Sequence, residues 1–230
     1  MLMEVQDTLA SASNSSGSYT ALSEKTHMKI VNGSIVVLSV LVAGLLIAGA
    51  GVASAQDVYK VNYFDINAPV LGGLPVPDAT VRIDNPGLTY GNLCAMIYVF
   101  AADQQLSECC GCIETHNGLR KLSVRNNLTS NPLTGVVPFS GVIKVVSALP
   151  NAGGACDPTS VTPRANLRVW ATHIQPGTSF GTFPLVWPVT ETESSDSTLG
   201  ASELAALQAQ CSFIHILGSG AGVCTCGTGD

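Results

Sequence analysis

Charge is scarce in this chain. Asp, Glu, Lys and Arg make up 11% of its 230 residues, against about 25% in an ordinary soluble domain. A surface so poor in charge must be covered by Ser, Thr, Asn and Gly, a composition common in extracellular β-proteins. Acids outnumber bases, giving a formal net charge of −6. The few bases are scattered, so the basic stripe that nucleic-acid binding needs is missing. Internal repeats are absent too, and so are catalytic signatures. Gly218-Ser219-Gly220-Ala221-Gly222 carries its Ser in the second place, not the third, so it is not a nucleophile elbow. It follows a helical pattern rather than a strand, which excludes a dinucleotide fingerprint. No acidic pair and no Ser-His-Asp order emerges. Cysteine is missing from the first 93 residues.

The segment Met1–His27 is polar and Ser-rich, with nothing to pack, and Met28 reads as the natural start. The run Ile30–Ala55 carries no charge, follows Lys25 and Lys29, and ends in Ala53-Ser54-Ala55. A basic region, an apolar stretch and a small-x-small site are the layout of a secretory signal. The sequence therefore divides into an N-terminal extension at 1–27, a signal peptide at 28–55 and one secreted domain at 56–230. The run is long enough to span a bilayer, so an uncleaved anchor is the alternative. Cleavage would leave no membrane contact and start the chain at Gln56.

All eight cysteines lie in that last part: Cys94, Cys109, Cys110, Cys112, Cys156, Cys211, Cys224 and Cys226. An even number in an exported chain reads as a disulfide framework. The spacing leaves the pairing open. Cys109 and Cys110 would make a strained ring together, so each is expected to find a distant partner. Cys211 with Cys224 or Cys226 is the expected tie for the Gly-rich tail, and Cys94 is expected to reach the 109–112 cluster. The alternative is a soft-metal or redox site built from Cys109, Cys110, Cys112, Cys224 and Cys226 with His116. Zinc sites usually use C-x₂₋₄-C rather than CC or C-x-C, which weighs against it.

The pattern from Gln56 onward is mainly β. Val58–Ile66 is aromatic and β-branched, and Ala68–Asp78 is a Pro/Gly-rich leash. Val81 and Ile83 alternate with polar neighbours. Leu93–Ala102 is apolar on both faces, with Cys94, Met96 and Tyr98 on one and Ala95, Ile97 and Val99 on the other. That predicts a central buried strand. Leu119–Val124, Gly141–Leu149 and Asn166–Ile174 are further strands. Thr182–Thr190, with Pro184 and Pro188 on one face, predicts an edge strand. Glu203–Leu217 carries Leu204, Leu207, Cys211 and Ile214 at helical spacing. Glu203 fills a capping-box slot behind Gly200, and Gly218 sits at C′. The expected architecture is an antiparallel β-sandwich, Ig-like or similar, with one C-terminal helix and a disulfide-tied Gly-rich tail.

Other residues are read as structural. His116 lies in a turn, His173 on the apolar face of a strand and His215 beside the apolar face of the helix. Tyr59, Tyr63, Tyr98, Trp170 and Trp187 could line a sugar-binding face, with Trp170 the best placed. Asn127-Leu128-Thr129 matches the N-glycosylation acceptor. No catalytic residue and no cofactor is expected. Self-association is possible through Val58–Ile66, a strand on a leash that could be donated to a neighbour.

The stretches RIDNPGLTYGNLCAMIYVF, SECCGC and GVCTCGTGD resemble a group of uncharacterised, cysteine-rich secreted bacterial proteins. That resemblance implies export and a bacterial source, and no known activity. The function expected from the sequence is that of a secreted structural or binding protein of the cell surface or extracellular matrix.

Overall fold

The computed structural model describes residues 57–66, 78–88, 91–174 and 189–227. The signal segment, Pro184, Trp187 and Pro188 lie outside the described residues, as does most of the 68–78 leash. The described residues form two antiparallel sheets, one α-helix and a short π-helix at Val124–Leu128. The first sheet has the order β10-β1-β6-β3-β4, with β7 also pairing β6. Its strands are β1 (Tyr59–Asp65), β3 (Leu93–Ala101), β4 (Leu106–Glu114), β6 (Ser140–Leu149), β7 (Thr162–Pro163) and β10 (Ser195–Ser197). The second sheet has the order β5-β2-β8-β9. It contains β2 (Thr80–Asp84), β5 (Leu119–Ser123), β8 (Arg168–Ile174) and β9 (Val189–Glu193), and helix α1 spans Ala201–Leu217.

The alternation along β3 dictates three layers. Ala95, Ile97 and Val99 face the second sheet and share a core with Val81, Ile83, Leu122 and Val169. Cys94, Met96 and Tyr98 face the other way and pack with Leu207, Cys211 and Ile214 of α1. The first sheet is thus buried on both faces and the second on one, as expected of a sandwich with a helix laid on its back. β3 pairs with β4 on one side and β6 on the other, the central place its two-faced apolar run predicts. The outer face of the second sheet is polar. There Arg82 pairs with Glu191, and Trp170 is half-buried opposite Arg82.

The 58–66 segment forms β1 within this sheet, pairing with β6 along all seven of its residues. β9 (Val189–Glu193) lies at the edge of the second sheet; of the expected edge strand Thr182–Thr190, only Val189 and Thr190 are among the described residues. The helix starts two residues earlier than its periodicity predicts, with Gly200 at the N-cap as expected, while Gly218 is the C-cap, in the right-handed region, rather than the C′ residue. Glu203 is used elsewhere: its Oε1 accepts from Tyr59 Oη at 2.9 Å and from Lys144 Nζ at 2.6 Å. A carboxylate close to two sheet donors fastens the helix to β1 and β6 instead of closing its own first turn. The Lys144 ammonium in turn holds Glu203 below the usual carboxylate range.

Candidate functional site

The chemistry-bearing residues gather along β4, the strand that the sequence pattern does not reveal. Alternation sends Cys110 and Cys112 toward the inter-sheet core and Cys109 toward the helix layer. Gly111 sits between them because a Cβ there would lie 2.3 Å from the carbonyl oxygen of Cys156. The 156 loop therefore packs directly on the β4 backbone.

The C-terminal tail lies beside β4 in parallel. Val223 bridges Cys109. Cys109 N donates to Gly222 O at 2.9 Å, and Cys224 N donates back to Cys109 O at 3.3 Å. Two disulfides continue the same register: Cys110–Cys224 and Cys112–Cys226, each spanning 114 residues, with Cα atoms 5.2 and 5.4 Å apart. Cys109–Cys211 fastens β4 to α1, and Cys94–Cys156 fastens β3 to the loop after β6. The described chain has no free cysteine. The tail is stapled to the body as expected, but by β4 rather than by Cys211, and Cys94 does not reach the 109–112 cluster. The reason is geometric. Cys211 points into the sheet under the helix, whereas the tail turns away at Gly218 and runs along the strand edge.

These rings are nested, which sets their worth. With Cys109–Cys211 closed, Cys110–Cys224 closes a further ring of about 15 residues, contributing about 3 kcal/mol in the chain-entropy account. Cys112–Cys226 then closes only about six residues and adds about 2 kcal/mol.

Asn131 is the non-covalent anchor of the tail. Its Nδ2 donates to Gly220 O at 2.7 Å and Val223 O at 3.3 Å. Its carbonyl accepts from Gly222 N at 2.6 Å. Its own N–H donates to Glu108 Oε1 at 2.8 Å. Asn127 helps: Thr225 N donates to its carbonyl at 2.9 Å, and its Nδ2 donates to Thr225 Oγ1 at 3.1 Å. With that amide engaged and the Thr129 hydroxyl buried and donating to Val124 O at 2.9 Å, the Asn127-Leu128-Thr129 triplet is a structural turn in the folded chain.

Two carboxylates of β4 are buried. Glu108 is 0% exposed, and its Oε2 has no partner among the described residues. Burial pushes it up to about 7, against the pull of the Asn131 N–H. Glu114 is 2% exposed and accepts from Arg120 Nε at 2.6 Å. Burial pushes it up to about 7 as well, with Arg120 opposing. Arg120 also donates to Cys226 O at 2.6 Å and Ile113 O at 2.7 Å, so one guanidinium ties β5, β4 and the tail. Six residues of extended strand separate the two acids by about 20 Å. That is far beyond the roughly 5–10 Å at which paired carboxylates cooperate on a glycosidic bond.

The remaining sequence candidates are dispersed. His173 is buried, stacks on Tyr63 with ring centroids 4.0 Å apart, and lies 2.7 Å from Thr192 Oγ1. Burial lowers its pKa, which keeps the ring neutral. His215 is exposed, with Nε2 3.8 Å from Cys211 Sγ. His116 is exposed in the β4–β5 turn, beside Gly87, and joins neither of the two sulfur groupings among the described residues. Tyr59 and Tyr98 are buried with their hydroxyls committed, Tyr98 to Pro158 O at 2.7 Å, so they line no surface. Among the described aromatics named for a sugar face, Trp170 and Tyr63 remain accessible. No described helix is long and apolar enough to cross a membrane. Comparison of the chain with family models, curated proteins and solved structures finds no match to any of them.

Proposed function

We propose that this chain is a secreted structural or binding protein of the cell surface or extracellular matrix, held together by disulfides and working without catalysis. One observation carries the reading: every cysteine is spent on closing the fold, and three of the four bonds converge on β4. Thiols committed in this way belong to an oxidising compartment. Two of the titratable groups nearby are engaged by the fold, Glu114 by Arg120 and Glu203 by Lys144 and Tyr59. Export through the Ala53-Ser54-Ala55 site is part of this proposal. N-terminal sequencing of exported protein is expected to begin at Gln56, and a start at Met28 or earlier would replace cleavage by an anchor. Thiol titration of the denatured, unreduced protein is expected to find no free thiol, and screens on glycans and peptides to find no turnover.

Self-association through β1 belongs to the same proposal. β10 pairs with β1 at Tyr59–Val61, and beyond it Asn62 Nδ2 donates to Ser194 Oγ at 3.3 Å while Tyr63 stacks on His173. A strand whose ladder on one side is this short can take up another chain. Purified 56–230 is expected to assemble at high concentration. If it runs as a monomer there, β1 mediates no association.

A further inference from the structure

The two tail disulfides place four sulfurs in one compact, shielded group. The Sγ atoms of Cys110, Cys112 and Cys226 lie within 4.8 Å of one another, and the fourth, on Cys224, is bonded to Cys110. We propose that on reduction these four cysteines form a tetrathiolate site for a d¹⁰ cation, Zn²⁺ being the best fit, so that the tail is held either by disulfides or by metal.

The geometry answers the objection that C-x-C is a poor zinc spacing. On an extended strand, residues two apart share a face about 6.6 Å apart along the backbone. Cys110 and Cys112 do this on β4, and Cys224 and Cys226 do it on the tail, in matching register. A tetrahedral site with Zn–S near 2.3 Å needs sulfurs about 3.8 Å apart. Bonded sulfurs must separate by about 2 Å, and Cys110 and Cys112, like Cys110 and Cys226, close by up to about 1 Å from within their 4.8 Å grouping; Cys224, which lies outside that grouping, must turn in toward Cys112 and Cys226 by side-chain rotation. Cys109 is excluded, since it faces the helix layer, and so is His116.

The disulfides are not the tail's only attachment: Asn131, Asn127 and Arg120 also hydrogen-bond it, through groups whose chemistry reduction does not change. Cys110, Cys112 and Cys224 are at most 5% exposed, which shields thiolates from water and oxidant. The guanidinium of Arg120, bonded to the Cys226 carbonyl, offsets part of the net −2 charge of a zinc tetrathiolate.

The balance is simple. Each disulfide takes two electrons and two protons from a phosphine and one water, giving two thiols and a phosphine oxide. Binding of Zn²⁺ then releases four protons. The test uses the full exported chain, oxidised and phosphine-reduced without oxygen, titrated with Co²⁺. The oxidised chain is expected to bind none. The reduced chain is expected to bind one equivalent with the d–d and charge-transfer bands of tetrahedral cobalt tetrathiolate, displaced by Zn²⁺. Cys112→Ser is expected to weaken binding at least about tenfold, while the Cys109→Ser, Cys211→Ser double variant keeps the bands. Absence of those bands in the reduced chain overturns the proposal, whether or not that chain stays folded. So does their persistence when Cys110, Cys112, Cys224 and Cys226 are all Ser. Either failure leaves the disulfide-held structural reading standing, because thiol titration tests that separately.

Discussion

The first sheet ends differently on its two sides. Along β4 it is sealed by a parallel tail, two disulfides, the Asn131 anchor and the Arg120–Glu114 pair. Along β1 it ends in the three-residue β10, with Lys60 paired to Asp57 at 2.5 Å and to Asp196. One side is covalent and buried. The other rests on carboxylates that are half exposed, where ion pairs are weak. The tail itself explains the contrast. A Gly-rich segment buries little, so its chain entropy must be met by bonds that need no buried area, whereas β1 gains its hold from pairing with β6 and from Phe64 in the core.

Freeing the tail should show the largest effect. Replacing Cys110, Cys112, Cys224 and Cys226 by Ser is expected to cost about 5 kcal/mol, read as a fall of roughly 10–20 °C in Tm. A loss under about 1 kcal/mol would mean that the hydrogen bonds alone hold the tail. Next comes Arg120→Ala, which strands Glu114 and two carbonyls and is expected to cost at least about 3 kcal/mol in urea unfolding at pH 8. The cost should shrink at pH 5, where Glu114 is protonated.

Glu108 gives the covalent side a pH dependence. Its folded-state pKa is raised from 4.5 to about 7. The stability it contributes is therefore fully present below about pH 4.5 and lost as pH rises through 7, up to about 3 kcal/mol. Glu108→Gln is expected to flatten the decline in Tm between pH 5 and 8, and an unchanged slope would show that the buried carboxylate is not its source. His173 acts in the opposite sense, since its lowered pKa removes stability as pH falls. Removing only Cys112 and Cys226 is expected to cost about 2 kcal/mol. The smallest effect should come from the other side. Asp196→Asn is expected to cost under about 1 kcal/mol, and less in high salt.

Much of the fold was legible in the sequence, and β4 was not. β3 announced itself by an unbroken apolar run, and α1 by Leu204, Leu207, Cys211 and Ile214. β4 reads as Leu-Ser-Glu-Cys-Cys-Gly-Cys-Ile-Glu, with acids at inward positions and a glycine in the middle, the opposite of a strand pattern. Its apolar payload is half-cystine, whose burial depends on partners over 100 residues away. β10 is too short to leave a periodicity. The pairing was one of about a hundred connectivities. One signal was available: Cys110 and Cys112 share the 114-residue offset to Cys224 and Cys226, which two strands running in parallel would produce. The Glu203 cap failed for a tertiary reason, because Lys144 and Tyr59 outbid the helix's own N-terminus.

The measurement that tests the covalent edge most directly is the disulfide map of the exported chain, by partial reduction and peptide analysis. The account predicts Cys94–Cys156, Cys109–Cys211, Cys110–Cys224 and Cys112–Cys226. A bond from Cys211 to Cys224 or Cys226, or free thiols on the tail, would contradict it.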